Sequence, residues 1–469
     1  MQSSVKTNQS EHVGRSQIDL PAEDRLCSRY PTYSRIIWWA MIGLTLALLI
    51  AFCPVAIIRA VNDQGGTDFP EFYDAGKHLS EHGVTKPGSM AAYYLPSIDA
   101  LWVIVASMPL AMASCVWYII GSVGWIGSLL AIHKYILVDM DESLRREALA
   151  VAALVTLPLA LDGLCLGAFH TLMLWWWIAG LGRVSQGRDI SGGILLGLAV
   201  WIKLLPALGI AYLMLKGKWK AVIVAGLSVI VVNGVLCMSA FGPRGTRDAH
   251  VAWMNRDAAG TIALLLNEEG GVAEQRVTNQ SMLAVLRRVL TQFGVSSDPD
   301  LNWMDAARNQ AAIGHVNSAH LRLVYVAFSG TLLLLLIGPF LRDSGRTLSA
   351  TRWPTEIALV VASSLWFSPI APSYHPIVMA PVLAILFARG SFRPLGILAL
   401  ALWILAMSGH AWPMARAFGH VLWLTMILGG MLVWSSTREM QVPAPIPVWR
   451  KRIVGRVEKW RGGLGATSQ

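Results

Sequence analysis

Charge is scarce in this sequence: Asp, Glu, Lys and Arg make up 14% of its 469 residues, while 55% are hydrophobic and the mean hydropathy is +0.52. Soluble domains carry roughly 25% charged residues, so an ordinary soluble enzyme is excluded. Cysteine is scarce as well. Of the five, Cys53, Cys115, Cys165 and Cys237 lie in or beside apolar segments and Cys27 in a polar tail, which supports neither a disulfide framework nor a zinc site. The first 35 residues hold no short apolar core followed by a small-residue cleavage site. A cleavable signal peptide is therefore not expected, and the first span would act as its own insertion signal. No internal repeat is visible, nor an acidic pair of the kind that holds a nucleotide-bound metal. No metal or other cofactor is expected.

Apolar runs are what the chain has in abundance. Stretches of roughly 20 apolar residues, the length that crosses a hydrocarbon core, recur between short polar breaks. They predict an all-α fold, a polytopic transmembrane helical bundle of about twelve spans. The formal net charge of +10 sits in short basic clusters between these runs, a pattern that fits anionic lipid headgroups and the positive-inside bias, not nucleic acid. Residues 1–35 read as a disordered cytoplasmic tail, 36–435 as the membrane domain and 436–469 as a basic cytoplasmic tail. Two extracytoplasmic loops are expected, at 60–96 and at the long polar insert 242–319. Both termini then lie on the cytoplasmic side of an inner membrane. The 20 tryptophans, Trp175-Trp176-Trp177 among them, read as an interfacial belt.

Two crossing patterns fit the middle of the chain. Either 96–138 crosses twice and 190–215 once, or the first crosses once and the second forms two short helices meeting at Lys203-Pro206. The second pattern keeps Lys134, Arg145, Arg146, Arg183 and Arg188 on the cytoplasmic side and lifts Lys203 out of the hydrocarbon centre, as the charge rules favour. Beyond it, Lys216-Gly217-Lys218-Trp219-Lys220 is a cytoplasmic turn, and the next span is expected to end at Phe241.

The first loop contains Thr67-Asp68-Phe69-Pro70-Glu71-Phe72-Tyr73-Asp74-Ala75-Gly76. Asp68 can cap a short helix there, with Pro70 in the first turn and Glu71 completing a capping box. Phe69, Phe72, Tyr73 and Leu79 give that helix an apolar side suited to the membrane surface. Other polar groups fall on the same predicted face: Asp74, Tyr93-Tyr94, the stretch 162–170, Lys203, Asn279-Gln280-Ser281, Arg287-Arg288 and the stretch 368–375. Leaving such groups unpaired in lipid is costly. A carboxylate within about 3 Å of a hydroxyl can act as its general base, and Asp68 has the right group. Lys203, Arg287, Arg288 and His375 are candidates to stabilise a developing negative charge. Each residue also has a purely structural reading: Asp68 as a helix cap, Lys203 as a snorkelling side chain, His375 as part of a turn, Arg287-Arg288 as a solvated helix face, and Asn279 or Ser281 as a cap.

Taken in order, Asp68-Phe69 with Tyr73 and Ala75-Gly76, Tyr94-Leu95-Pro96, the stretch 193–206 (GILLGLAVWIKLLP), Asn279-Gln280-Ser281, and Ser368-Pro369 with His375 resemble glycosyltransferase family 87, membrane hexosyltransferases of the GT-C superfamily. The chain differs from the family pattern in having Gly167-Ala168 where Gly-Gln is usual and Tyr94-Leu95-Pro96 in place of Tyr-Pro-Pro. The resemblance implies a polyprenyl-phosphate sugar donor, mannose being the first expectation, and a lipid or glycan acceptor. It also implies an extracytoplasmic site with Asp68 as the base, and inversion at the anomeric carbon. Lys203, His375, Tyr94, Asn279, Gln280 and Arg287 are the expected substrate-binding residues. A transporter or flippase of lipid-linked glycans is the rival class, although the paired halves common in transporters are not seen.

Overall fold

The computed structural model describes residues 31–62, 68–86, 94–258, 279–290, 316–341, 352–368, 370–390, 394–408, 415–416 and 418–441. Most of both tails and much of the insert 242–319 lie outside these residues. The described residues form fifteen α-helices and no strand. In chain order they are α1 (Pro31–Val61), α2 (Asp68–His82), α3 (Ser97–Ala106), α4 (Leu110–Ala131), α5 (Glu142–Leu166), α6 (His170–Ser185), α7 (Asp189–Ile202) and α8 (Ala207–Leu215). There follow α9 (Trp219–Ala252), α10 (Met282–Leu290), α11 (Ser318–Leu341), α12 (Trp353–Phe367), α13 (Ala380–Gly390), α14 (Pro394–Ser408) and α15 (His420–Gln441). Stretches within α1, α4 extended to Ile136, α5 and α9 are long and apolar enough to cross a membrane.

Proline and glycine explain where the helices stop. At ten residues, α3 is about 15 Å long, half of a hydrocarbon core. It folds onto α2, and a Cβ at Gly76 would collide with the Trp102 backbone. Pro109 precedes α4, and Pro206 separates α7 from α8. The stretch 190–215 thus makes two short helices meeting at Lys203, and 96–138 makes a short helix followed by a long one. At α9 the first helical stretch ends at Phe241 as expected: the helix breaks at Gly242 (φ 67°), and a second stretch runs on to Ala252. The chain turns back on itself there, because Asn233 Nδ2 and His250 Nε2 lie 2.6 Å apart, where a straight helix would hold them roughly 25 Å apart.

Five tryptophans depart from expectation. Trp102, Trp125, Trp177, Trp366 and Trp403 are fully buried core residues, not an interfacial belt. Without a hydrophobic driving force between helices in lipid, tight packing is what holds them, and large flat rings placed against small neighbours supply it. Trp177 packs on Gly209 and Trp366 on Gly429. At the end of the bundle away from α2, Lys216 pairs with Glu356 at 2.9 Å with both side chains buried, and Tyr212 donates to the same carboxylate.

Helix α2 is held by its aromatic side. Phe72 stacks on Trp102 with ring centroids 5.2 Å apart and meets Phe169 edge-on at 5.4 Å. Between α5 and α6, Gly167 adopts φ +81°, and a Cβ there would lie 2.5 Å from that of Phe69. Gly167→Ala is accordingly expected to lose about 2–4 kcal/mol, from the left-handed backbone and the displaced Phe69 together. Gly43→Ala, with nothing within 4 Å, is the neutral control. Thermal unfolding of the two variants in detergent checks this, and equal midpoints would refute it.

Candidate active site

One short loop assembles the site. After α12 the chain passes through residues 370–374 into a 3-10 turn, His375–Met379. Three consecutive side chains of this segment reach three different elements. Ser373 Oγ donates to Asp162 Oδ2 of α5 at 3.0 Å. Tyr374 Oη donates to Asp68 Oδ2 of α2 at 3.0 Å. His375 Nε2 lies 3.0 Å from Lys203 Nζ. The ends of α2 and α5 and the break between α7 and α8 are thereby tied to one point.

The carboxylate side comes first. Asp68 stands at the start of α2, and its side chain engages Tyr374 across the bundle. Burial pushes its carboxyl above the 3.8 of a free aspartate, while the Tyr374 hydroxyl and the charge of Lys203 pull the other way. Tyr94 lines the same wall. Its ring sits 5.3 Å from Phe72 and 5.6 Å from Phe169, and burial together with the Asp68 charge pushes its phenol up. Asp74, the other carboxylate of the stretch, is exposed and lies 3.9 Å from Lys86; it takes no part.

The cationic side is built on a helix that ends early. The backbone N–H of Lys203 still bonds to Ala199 O at 3.1 Å, but its dihedrals are extended (φ −152°, ψ 138°). Pro206 has no N–H with which to continue α7. The side chain then lies between two imidazoles, with Nζ 3.2 Å from His170 Nε2 and 3.0 Å from His375 Nε2. An ammonium can only donate, so both ring nitrogens accept. Two of its three hydrogens are used in this way; among the described residues the third has no acceptor. His170 completes the link back to the carboxylate, its ring centroid 4.5 Å from that of Tyr374 and 4.3 Å from that of His375. Its Nδ1 is buried with no hydrogen-bond partner among the described residues. A carboxylate and an ammonium are thus joined in one group of residues, each contacted by neutral side chains, an arrangement able to take a proton at one end and hold an anion at the other.

Asn279 and Gln280 work at one remove. Asn279 Oδ1 accepts from the backbone N–H of Ala371 at 2.9 Å and of Ser281 at 3.0 Å, and the Gln280 N–H donates to Ala371 O at 2.9 Å. They clamp the base of the loop that carries Ser373, Tyr374 and His375. Gln280 Nε2 reaches Arg416 O at 2.9 Å. Arg287 and Arg288 are buried, so the reading of a solvated face is overturned: α10 carries them into the interior, and Arg288 Nη2 donates to Arg416 O at 3.4 Å. Reasoning from sequence marked the stretches 162–170 and 368–375 but singled out neither His170, Asp162 nor Tyr374. The available signal was position, since His170 opens a helix just after Gly167, and Ser373-Tyr374 precede a histidine already chosen.

Comparison with curated proteins and with solved structures returns no match. Residues 93–369 match the family description "Glycosyltransferase family 87". The matched part holds Tyr94, Asp162, His170, Lys203 and the Asn279-Gln280 clamp; Asp68, Ser373, Tyr374 and His375 lie outside it, and the contacts of Ser373 with Asp162 and of His375 with Lys203 tie the loop to it. With more than half of its length matched, and with apolar helices of the kind a membrane enzyme needs, the chain belongs to glycosyltransferase family 87.

Proposed function

We propose that the chain is an inverting hexosyltransferase that moves a sugar, with mannose the first candidate, from a polyprenyl-phosphate donor to a lipid or glycan acceptor at the outer face of the inner membrane. The observation that carries this reading is the joining of Asp68 and Lys203 through Tyr374 and His375. Asp68 takes the proton of the acceptor hydroxyl as that oxygen bonds to the anomeric carbon. The bond from that carbon to the phosphate oxygen breaks, and its electron pair leaves with the polyprenyl phosphate. The developing charge falls to Lys203, whose third N–H and the Nδ1–H of His170 are the donors available to it. One displacement needs one carboxylate, so Asp162 is given a positioning role and no covalent glycosyl-enzyme is required. Metal is not required either.

The lipid carrier explains why the enzyme is embedded: nucleotide sugars are cytoplasmic, while this site is placed outside. The reading includes about twelve crossings, with α2 and α3 on the outer surface and the basic ends of α4 and α6 inside. Membranes supplied with radiolabelled polyprenyl-phosphate mannose and a lipid extract are expected to yield a product whose anomeric configuration is opposite to the donor's. Retention of configuration, or transfer from a nucleotide sugar alone, would overturn the proposal. Labelling of Arg188→Cys from outside would overturn the sidedness.

A further inference from the structure

Four thiols lie among the described residues, and the fold brings two of them together. Cys53 on α1 and Cys115 on α4, 62 positions apart, hold their Sγ atoms 3.9 Å from each other. Their spacing in sequence gave no reason to pair them; the helices that carry them do. Tyr118 Oη donates to Leu49 O at 2.8 Å on one side of the pair, and Ser114 Oγ donates to Ala56 O at 3.4 Å on the other. Leu49, Cys53 and Ala56 follow at steps of four and three residues, so they share one face of α1, and their partners on α4 come in the opposite order. Helices α1 and α4 therefore pack antiparallel in a fixed register, with the two thiols between hydrogen-bonded rungs.

That frame limits how far the sulfurs can separate and leaves closure to the side chains. A disulfide holds its sulfurs about 2.05 Å apart, so each Sγ has about 1 Å to travel, a distance that side-chain rotation supplies. Neither thiol is sealed in the core: both are partly exposed, within reach of a small lipid-soluble oxidant. Cys53 lies eight residues before the end of α1 and Cys115 five after the start of α4, about 12 Å and 8 Å along the helix axes. These are the helix ends between which α2 and α3 are strung, so the chain enclosed by the two thiols includes Asp68 and Tyr94. Tyr73 of α2 already donates to Met108 O at 2.8 Å, just before α4 begins.

We infer that Cys53 and Cys115 are a redox-sensitive pair whose oxidation to a disulfide staples α1 to α4 and closes the chain around the α2 and α3 segment. Two S–H bonds break and one S–S bond forms. The two electrons and two protons pass to a lipid-soluble two-electron oxidant of the quinone class, which becomes the quinol. On the sidedness proposed above, the pair lies in the outer half of the bilayer, next to a compartment in which disulfides persist. Its formation in the isolated protein depends neither on that sidedness nor on sugar transfer. A cross-link spanning 62 positions restricts the unfolded chain, so the oxidised protein is the more heat-stable form. Cys165 of α5, whose Sγ lies 3.9 Å from Phe52 O, is the competing thiol and supplies the control.

The test treats the full-length protein in nanodiscs with diamide, a two-electron thiol oxidant, then unfolds it in dodecyl sulfate and counts free thiols by gel shift with a maleimide polymer. The five thiols of the chain should fall to three, and dithiothreitol should restore all five. Cys53→Ser and Cys115→Ser should each keep their four remaining thiols through the oxidation, whereas Cys165→Ser should fall from four to two. Oxidised wild type should unfold at a higher temperature than reduced wild type, and the difference should vanish in Cys53→Ser. Five thiols surviving in the wild type, or two lost from Cys53→Ser, would overturn the pair. A dimer on a non-reducing gel would assign the oxidation to a contact between copies and overturn it as well, and equal unfolding temperatures of the two forms would overturn the staple.

Discussion

Asp68→Asn is expected to lower sugar transfer by about 10²- to 10⁴-fold, the contribution of a positioned general base, with no loss of stability. The carboxyl is raised above its ordinary value by burial. The folded protein therefore binds that proton more tightly than the unfolded chain does, and the contribution of this group to stability is greatest in acid and declines as pH rises through the folded value. At neutral pH the ionised side chain thus carries a desolvation penalty that asparagine relieves, and the amide oxygen can still accept from Tyr374. The same shift predicts the pH profile. In the wild type, kcat/KM should fall on the acid side at a pH above that of an unperturbed aspartate. The acid limb should be absent from whatever activity the variant retains. Equal transfer by wild type and variant at equal protein level would show that Asp68 only shapes the helix start, and a flat acid limb in the wild type would count against it independently.

The second large effect belongs to Lys203. Lys203→Met keeps the stem and removes the ammonium, leaving the Nε2 atoms of His170 and His375 without their shared donor. Removing one preorganised electrostatic partner of a developing oxyanion reduces turnover by roughly 10²- to 10³-fold. The loss should fall mainly on kcat, because the phosphate gains charge as the bond to the sugar breaks. Steady-state kinetics with varied polyprenyl-phosphate mannose reads the split. If Lys203 merely snorkels, the variant should keep wild-type turnover. A rise in KM alone would make it a ground-state anchor for the donor and place the leaving-group cation elsewhere.

Composition alone decided the broad class of the protein. Apolar runs of spanning length and a 14% charged fraction are properties of the chain itself, and lipid imposes the helix on any such run because each backbone group must find its partner within the segment. Helix limits followed equally locally. Pro206 and Gly167 break helices for reasons that lie in a single residue, so the short helix pair at Lys203 was legible. Asp68 and Lys203 stood out in the sequence as well, because a carboxylate beside aromatics and a lone ammonium in an apolar run are conspicuous in one dimension. Only the tertiary structure decided which groups meet. Asp68 and Tyr374 are 306 residues apart, and Lys203 and His375 are 172 apart. Helical periodicity identifies which face of a helix is buried but not the neighbour it is buried against. For the same reason five tryptophans of a type favoured at interfaces became core, and Asn279 became a clamp on a loop nearly a hundred residues away: partners across a bundle are chosen by the packing of whole helices, a quantity that no local stretch of sequence contains.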